Sequence, residues 1–239
     1  MLQIADWLYP RHCPLCDRIL TRQEPLLCRS CAAHLPMIRG AVCLRCGRPL
    51  PEEDGTGRAE EYCADCRKTP HLFVQGTAPY VYGGAVQSSV LRMKYGGRAE
   101  YARFYAASIC RYGGRLLRRW QPDVIVPVPV HRSRYLKRGY NQAELLAEQL
   151  SAMTGIPVDE PVCRIRQTRP QKGLSPAARR KNVQGAFRLL EGAVPAERIL
   201  LVDDIYTTGS TLDALAAVLL DGGARELMFA CASVSLGTG

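Results

Sequence analysis

The sequence lacks any apolar stretch approaching the roughly 20 residues that a membrane-spanning helix requires, although apolar residues make up 47% of the chain. It also lacks a basic start followed by an apolar run and a small-residue cleavage site, since the first residues read MLQIADWLYPRHC. The expectation is a cytoplasmic protein with a packed core, no membrane span and no secretory leader. A reducing compartment argues against disulfides as the use of its cysteines. Acidic residues are scarce where basic ones are dense. Lys and Arg total 32 against 22 Asp and Glu, a net charge of +10. Residues 164–188 hold eight basic side chains and no acidic one, and residues 92–138 hold twelve against only Glu100 and Asp123. Clustered arginine suits a phosphate-bearing partner, either nucleic acid or a polyphosphate metabolite. A solvated basic face would use the same residues, so charge alone does not decide.

What is abundant is cysteine, and it is placed unevenly. Eight of the eleven fall in four C-x-x-C pairs, Cys13/Cys16, Cys28/Cys31, Cys43/Cys46 and Cys63/Cys66, at intervals of 15, 15 and 20 residues. The segments between them are short and broken by Pro and Gly, with too few apolar residues to hold together unaided. Two C-x-x-C turns offer four thiolates to one tetrahedral zinc ion. The consecutive scheme puts Cys13, Cys16, Cys28 and Cys31 on one ion and Cys43, Cys46, Cys63 and Cys66 on a second. It needs only local loop closure, while an interleaved scheme stays open. Both sites are closed by four cysteines, so the two zinc ions are structural. His12, His34 and His71 are then ordinary surface histidines. The expected division is a double zinc ribbon over residues 1–70 and a larger domain over 71–239.

After Pro70 the pattern changes. LFVQGTAPYVYGG (72–84) reads as a pair of strands. Two helices follow, broken at Gly96-Gly97. DVIVPVPV (123–130) and RILLVDD (198–204) read as short buried strands. The segment 139–155 is an amphipathic helix with Ala143, Leu146, Ala147 and Leu150 on one face, closed by Gly155 and Pro157. VCRI and AFRLL flank an Arg-rich segment, TLDALAAVLLDGG is a helix, and LMFACASVSL is a final strand. Strands alternating with helices predict an α/β fold with a mostly parallel sheet. Such sheets bind ligands at the carboxyl ends of their strands.

One such end carries unusual chemistry. In LLVDDIYTTGST (200–211), Asp203 and Asp204 close an aliphatic strand. Thr207, Thr208, Gly209, Ser210 and Thr211 then turn into a helix, with Ser210 and Asp213 in capping-box spacing. A helix N-terminus offers unpaired N–H groups and a positive dipole end, which suits phosphate. Gly209 lets the backbone approach closely. The carboxylates cannot bind that phosphate, but vicinal sugar hydroxyls would satisfy them. A ribose 5-phosphate unit answers both halves of the motif, whereas a plain polar turn would need neither the acids nor the aliphatic strand.

LLVDDIYTTGST closely resembles the 5-phosphoribosyl-1-pyrophosphate (PRPP) loop of type I phosphoribosyltransferases. IADWLYPRHCPLC, LRMKYGG, VPVPVHRSRYLKRGYNQAELLA, QTRPQKGLSPAARRKNVQGAF and that loop also follow one another in the order typical of the ComF family. These are competence-associated proteins with a double zinc ribbon and a phosphoribosyltransferase-like domain. Tyr95 and Tyr140 stand where many members carry Phe, a mild departure. The resemblance implies that Asp203 and Asp204 contact ribose hydroxyls while residues 207–211 wrap the 5-phosphate. The turn after VIVPVPV would be the pyrophosphate loop. His131, Arg132 and Arg134 would face the diphosphate, with Arg138 close behind. Asn141 would orient the turn, and Lys94 would reach an anion. Residues 166–182 would form the flexible loop that closes over PRPP, with Gln171, Arg179, Arg180 and Asn182 as its candidate contacts. A solvated helix end is the rival reading of Arg179, Arg180 and Lys181.

Two functions follow as expectations. An enzyme would bind PRPP with Mg²⁺ and transfer the phosphoribosyl group to an unidentified acceptor. Arg132 and Arg134 would stabilise the departing diphosphate while Asp203 and Asp204 fix the ribose. A binding module would instead sense PRPP or hold single-stranded DNA beside a competence helicase, through phosphate contacts. Tyr80, Tyr82, Tyr95 and Tyr101 could then stack on bases, with core packing as the rival role for each.

Overall fold

The computed structural model describes residues 10–51, 60–166, 183 and 185–236. The aliphatic run of residues 198–206 forms the longest buried strand, β6 (Arg198–Tyr206). It lies inside a parallel sheet together with β1 (Gln75–Thr77), β2 (Tyr80–Val81), β3 (Val124–Pro127) and β7 (Glu226–Val234). β7 and β3 flank β6, and both β1 and β2 pair with the far side of β7. The two strands read from residues 72–84 are therefore successive segments of one sheet edge, each parallel to β7, and not a hairpin. Side chains alternate across a strand, so Ile199 and Leu201 enter one core and Leu200 and Val202 the other.

Helices cover both faces, as a parallel sheet requires. On the Leu200 face lie α3 (Gly84–Tyr95), α4 (Tyr101–Trp120) and α6 (Gln142–Thr154). α7 (Ser210–Asp221) covers the other face through Leu212, Leu215, Ala216 and Leu219. Ala143, Leu146, Ala147 and Leu150 form the buried stripe of α6, and Gly155 ends it in the left-handed conformation. A short helix α5 (Arg132–Arg138) follows β3. β4 (Val162–Arg164) and β5 (Phe187–Leu189) make a separate antiparallel pair. Tyr80 and Tyr101 are fully buried, whereas Tyr95 is 65% exposed. Among the described residues no helix is long and apolar enough to cross a membrane.

The cysteine region folds as the same knuckle twice. In the first, the Cys13 N–H donates to the Arg18 carbonyl and the Asp17 N–H to the Cys13 carbonyl, both at 2.8 Å. Thirty residues on, Cys43 with Arg48 and Gly47 with Cys43 repeat both bonds at 2.8 Å. Asp17 and Gly47 hold the same left-handed position, with φ of 62° and 71°. The second cysteine pair of each half opens a five-residue helix, α1 (Arg29–Ala33) or α2 (Ala64–Lys68). The two halves join different cores. Cys13, Leu15, Leu20 and Cys28 pack with the α4 side, and Cys43, Cys46 and Cys63 with the α7 side. Arg92 of α3 anchors the first half by donating to the Pro14 and Leu15 carbonyls, each at 3.1 Å. Asp17 adds ion pairs to Arg92 and Arg98 and accepts from the Tyr101 hydroxyl.

Candidate functional site

The cysteines gather in the consecutive scheme: Cys13, Cys16, Cys28 and Cys31 in one cluster, Cys43, Cys46, Cys63 and Cys66 in the other. In each, the sulfurs lie within 4.8 Å of one another. A tetrahedral zinc ion with Zn–S bonds of about 2.3 Å holds its sulfurs about 3.8 Å apart. The Cys16–Cys28 and Cys46–Cys63 sulfur separations are both 3.7 Å, so both donor sets fit zinc. His34 is exposed, as expected of a residue outside the ligand set. His71 is not a surface histidine. It is buried, stacks on Phe73 at 4.7 Å, and places Nδ1 2.8 Å from the Asp213 carboxylate.

A cavity of about 520 Å³ opens at the carboxyl ends of β3 and β6. Asp203 and Asp204 line it from within β6, which continues through Ile205 to Tyr206. Asp203 accepts the Asp204 N–H at 2.8 Å, and Asp204 takes the Lys94 ammonium at 2.8 Å. Burial pulls the Lys94 ammonium down, but the Asp204 and Asp203 carboxylates together outweigh it and the net shift is upward. The Asp203 carboxyl is pushed up to about 7, first by burial and then by the negative charge of Asp204. Lys94 thus lines the cavity while paired with a carboxylate.

Thr207, Gly209 and Thr211 line the cavity, and the Thr208 and Ser210 hydroxyls lie 2.8 Å apart. Gly209 is required twice over. Its φ is +75°, and a Cβ there would stand 2.7 Å from the His71 ring and 3.0 Å from the Tyr206 hydroxyl. Gly209 is also the N-cap of α7, so no side chain caps this helix end. The Ser210–Asp213 capping box does not form. Ser210 is already inside the helix, and Asp213 is drawn away to His71 and to the Leu72 N–H, 3.0 Å away.

Arginines line the same cavity. Arg134 and Arg138 line the cavity from α5, and Arg164 from the end of β4. Burial, then the neighbouring Arg138 charge, lowers the Arg134 guanidinium pKa. Burial, then Arg134, pulls Arg164 down to about 10. Such crowding of like charge is relieved by an anion. Arg138 also donates to the Gln142 amide oxygen at 2.7 Å and the Tyr95 hydroxyl at 3.0 Å. Asn141 positions the turn. Its Nδ2 donates to the Val128 carbonyl and its Oδ1 caps α6 by accepting the Ala143 N–H, both at 3.1 Å. His131 caps α5 through the Ser133 N–H, and Arg132 is exposed outside the cavity wall. Gln171, Arg179, Arg180 and Asn182 lie outside the described residues. Arg164 was not singled out from the sequence. Its signal was its place at the end of a strand, as the first basic side chain of the Arg-rich segment.

Comparison with known proteins agrees with this geometry. Residues 4–67 match the double zinc ribbon domain family, and residues 102–233 match the phosphoribosyl transferase domain family. The chain is 30% identical to Competence protein F of Haemophilus influenzae, covering 84% of this chain and 93% of that protein. It is 30% identical to DNA utilization protein YhgH of Salmonella typhi, over 93% of this chain and 96% of that protein. Competence protein ComFC of Bacillus subtilis is 28% identical, over 88% of this chain and 89% of that protein.

Proposed function

Because this chain belongs to the ComF family, with a double zinc ribbon and a phosphoribosyl transferase domain, we propose that it binds PRPP with Mg²⁺ and transfers the phosphoribosyl group to an acceptor. One observation supports this reading above the others. Paired carboxylates, an uncapped glycine turn entering a helix, and three arginines converge on a single cavity. Asp203 and Asp204 would accept hydrogen bonds from the two ribose hydroxyls. The turn of residues 207–211 and the α7 N-terminus would hold the 5-phosphate. Arg134, Arg138 and Arg164 would stabilise the departing diphosphate, which needs no reorganisation of the protein at the moment of reaction. Arg132, outside the wall, is left with a peripheral role. Mg²⁺ arriving with the diphosphate would neutralise further leaving-group charge. Lys94 would hold the Asp204 carboxylate in place.

Pyrophosphate release from PRPP in the presence of a cell extract tests the transfer step. Release should fall at least about 100-fold when Asp203→Asn and Asp204→Asn are combined, because both ribose contacts are lost. Equal release by the variant contradicts it.

The names of the relatives, competence and DNA utilization, favour a second reading. Here the chain is a non-catalytic module that senses PRPP or holds single-stranded DNA beside a competence helicase. Its DNA affinity would then fall with salt, at a log–log slope of about −0.7 per phosphate contacted. Neutralising the basic side chains of residues 164–188 should flatten that slope; an unchanged slope removes this segment as the DNA surface.

A further inference from the structure

The second zinc knuckle reaches into the phosphate-turn side of the molecule through one side chain. Arg48 is only 5% exposed. Its backbone carbonyl closes the knuckle by accepting the Cys43 N–H. Its guanidinium then divides its donors between two structures. Nη1 meets the Asp65 carboxylate at 2.5 Å and lies 3.8 Å from the Cys63 sulfur. Nη2 donates to the Thr207 carbonyl at 2.8 Å, and Nε to the Ser235 carbonyl at 2.8 Å. Thr207 is the first residue of the turn, and Ser235 lies just past β7. A second link runs parallel to the first. Arg45 donates to the His71 carbonyl at 3.3 Å, and His71 holds Asp213 in the first turn of α7.

The repeat supplies an internal control. Arg18 occupies the place of Arg48 in the first knuckle. Its side chain is 55% exposed and its guanidinium meets Glu24, within the same ribbon. Only the second copy is buried and directed at the turn.

We propose that Arg48 is a positioning residue through which the second zinc site sets the conformation of the 207–211 turn. Arg suits this role because its planar fork fixes several acceptors at once, which a lysine ammonium does not. Zinc occupancy at Cys43, Cys46, Cys63 and Cys66 is then coupled to anion affinity at the turn, and the coupling is reciprocal. The identity of that anion rests on the PRPP reading; the ordering of the turn does not.

The test is hydrogen exchange of the full zinc-loaded chain without ligand. In Arg48→Met, amides of residues 207–212 should exchange about tenfold faster or more. Arg48→Lys should recover part of that protection, and Arg18→Met should leave it unchanged. In wild type, graded zinc withdrawal with a chelator should release the same amides in step with alkylation of Cys43, Cys46, Cys63 and Cys66, which covers the case where a variant fails to fold. Protection of 207–212 that survives Arg48→Met, or loss of the second zinc, overturns the proposal. In a separate arm, wild type should bind PRPP at least about tenfold more tightly than Arg48→Met. If wild type does not bind PRPP, the ligand reading fails while the exchange result still decides the role of Arg48.

Discussion

Stripping zinc from this chain with a chelator is expected to lower its melting temperature by at least about 10 °C and expose all eight paired cysteines to alkylation. Structural zinc sites contribute about 10–16 kcal/mol of apparent binding free energy at neutral pH. A whole domain is stable by only about 5–15 kcal/mol. The segments between the cysteine pairs have no core of their own, so their folding free energy is the binding of the metal. The effect should not stay local. Cys13, Leu15, Leu20 and Cys28 are part of the α4 core, and Cys43, Cys46 and Cys63 part of the α7 core. Unfolding the knuckles uncovers both faces of the sheet. For a chain of this size each kcal/mol is worth about 2–4 °C, so a loss of even ~4 kcal/mol from the larger domain gives the expected shift. A melting curve unchanged by metal removal, with the thiols still protected, would contradict the account.

Asp203→Asn is expected to melt higher than wild type at pH 8, level with it at pH 4, and to lose PRPP binding. Burial and the adjacent Asp204 charge push the Asp203 carboxyl up to about 7, against about 4 in an unfolded chain. Between those values the native state keeps a proton that the unfolded chain has released. Stability therefore falls as pH rises through pH 4–7, and the full cost is present above pH 7. At about 1.4 kcal/mol per pKa unit the cost is on the order of 2–4 kcal/mol. Asparagine removes it and still offers an oxygen to the Asp204 N–H, as the Asp203 side chain does. A site residue whose neutral replacement stabilises the fold is held there for its charge. A variant less stable than wild type at pH 8 would show instead that the carboxylate contributes to the fold.

Much of this was legible in the sequence because it is encoded locally. The Cys spacing predicted two four-cysteine clusters, and loop closure favoured the consecutive pairing that the sulfur positions show. Aliphatic runs, the apolar stripe of α6 and the break at Gly96-Gly97 all depend on neighbours within a few residues. The acidic pair and the glycine turn of LLVDDIYTTGST are legible for the same reason, and the structure brings both to one cavity. What stayed hidden depends on contacts between distant parts of the chain. His71 and Asp213 are 142 residues apart, and their pairing dissolved the expected capping box. Arg48 and Thr207 are 159 apart. Arg48 and Arg18 hold matching places in their knuckles, and no local pattern names the distant acceptors of Arg48. Lys94 was read as reaching an anion; its ion pair with Asp204 forms only once α3 packs beside β6. The two strands in 72–84 were legible as strands, but not their place in the sheet. Their edge position follows from β7, which offers one long side to both.

Calorimetric titration of the zinc-loaded chain with PRPP, with and without Mg²⁺, tests the central claim most directly. The account predicts one PRPP per chain, tighter with Mg²⁺, and weakened at least about 100-fold when Asp203→Asn and Asp204→Asn are combined. No binding at millimolar PRPP, or equal binding by wild type and the double variant, would contradict it.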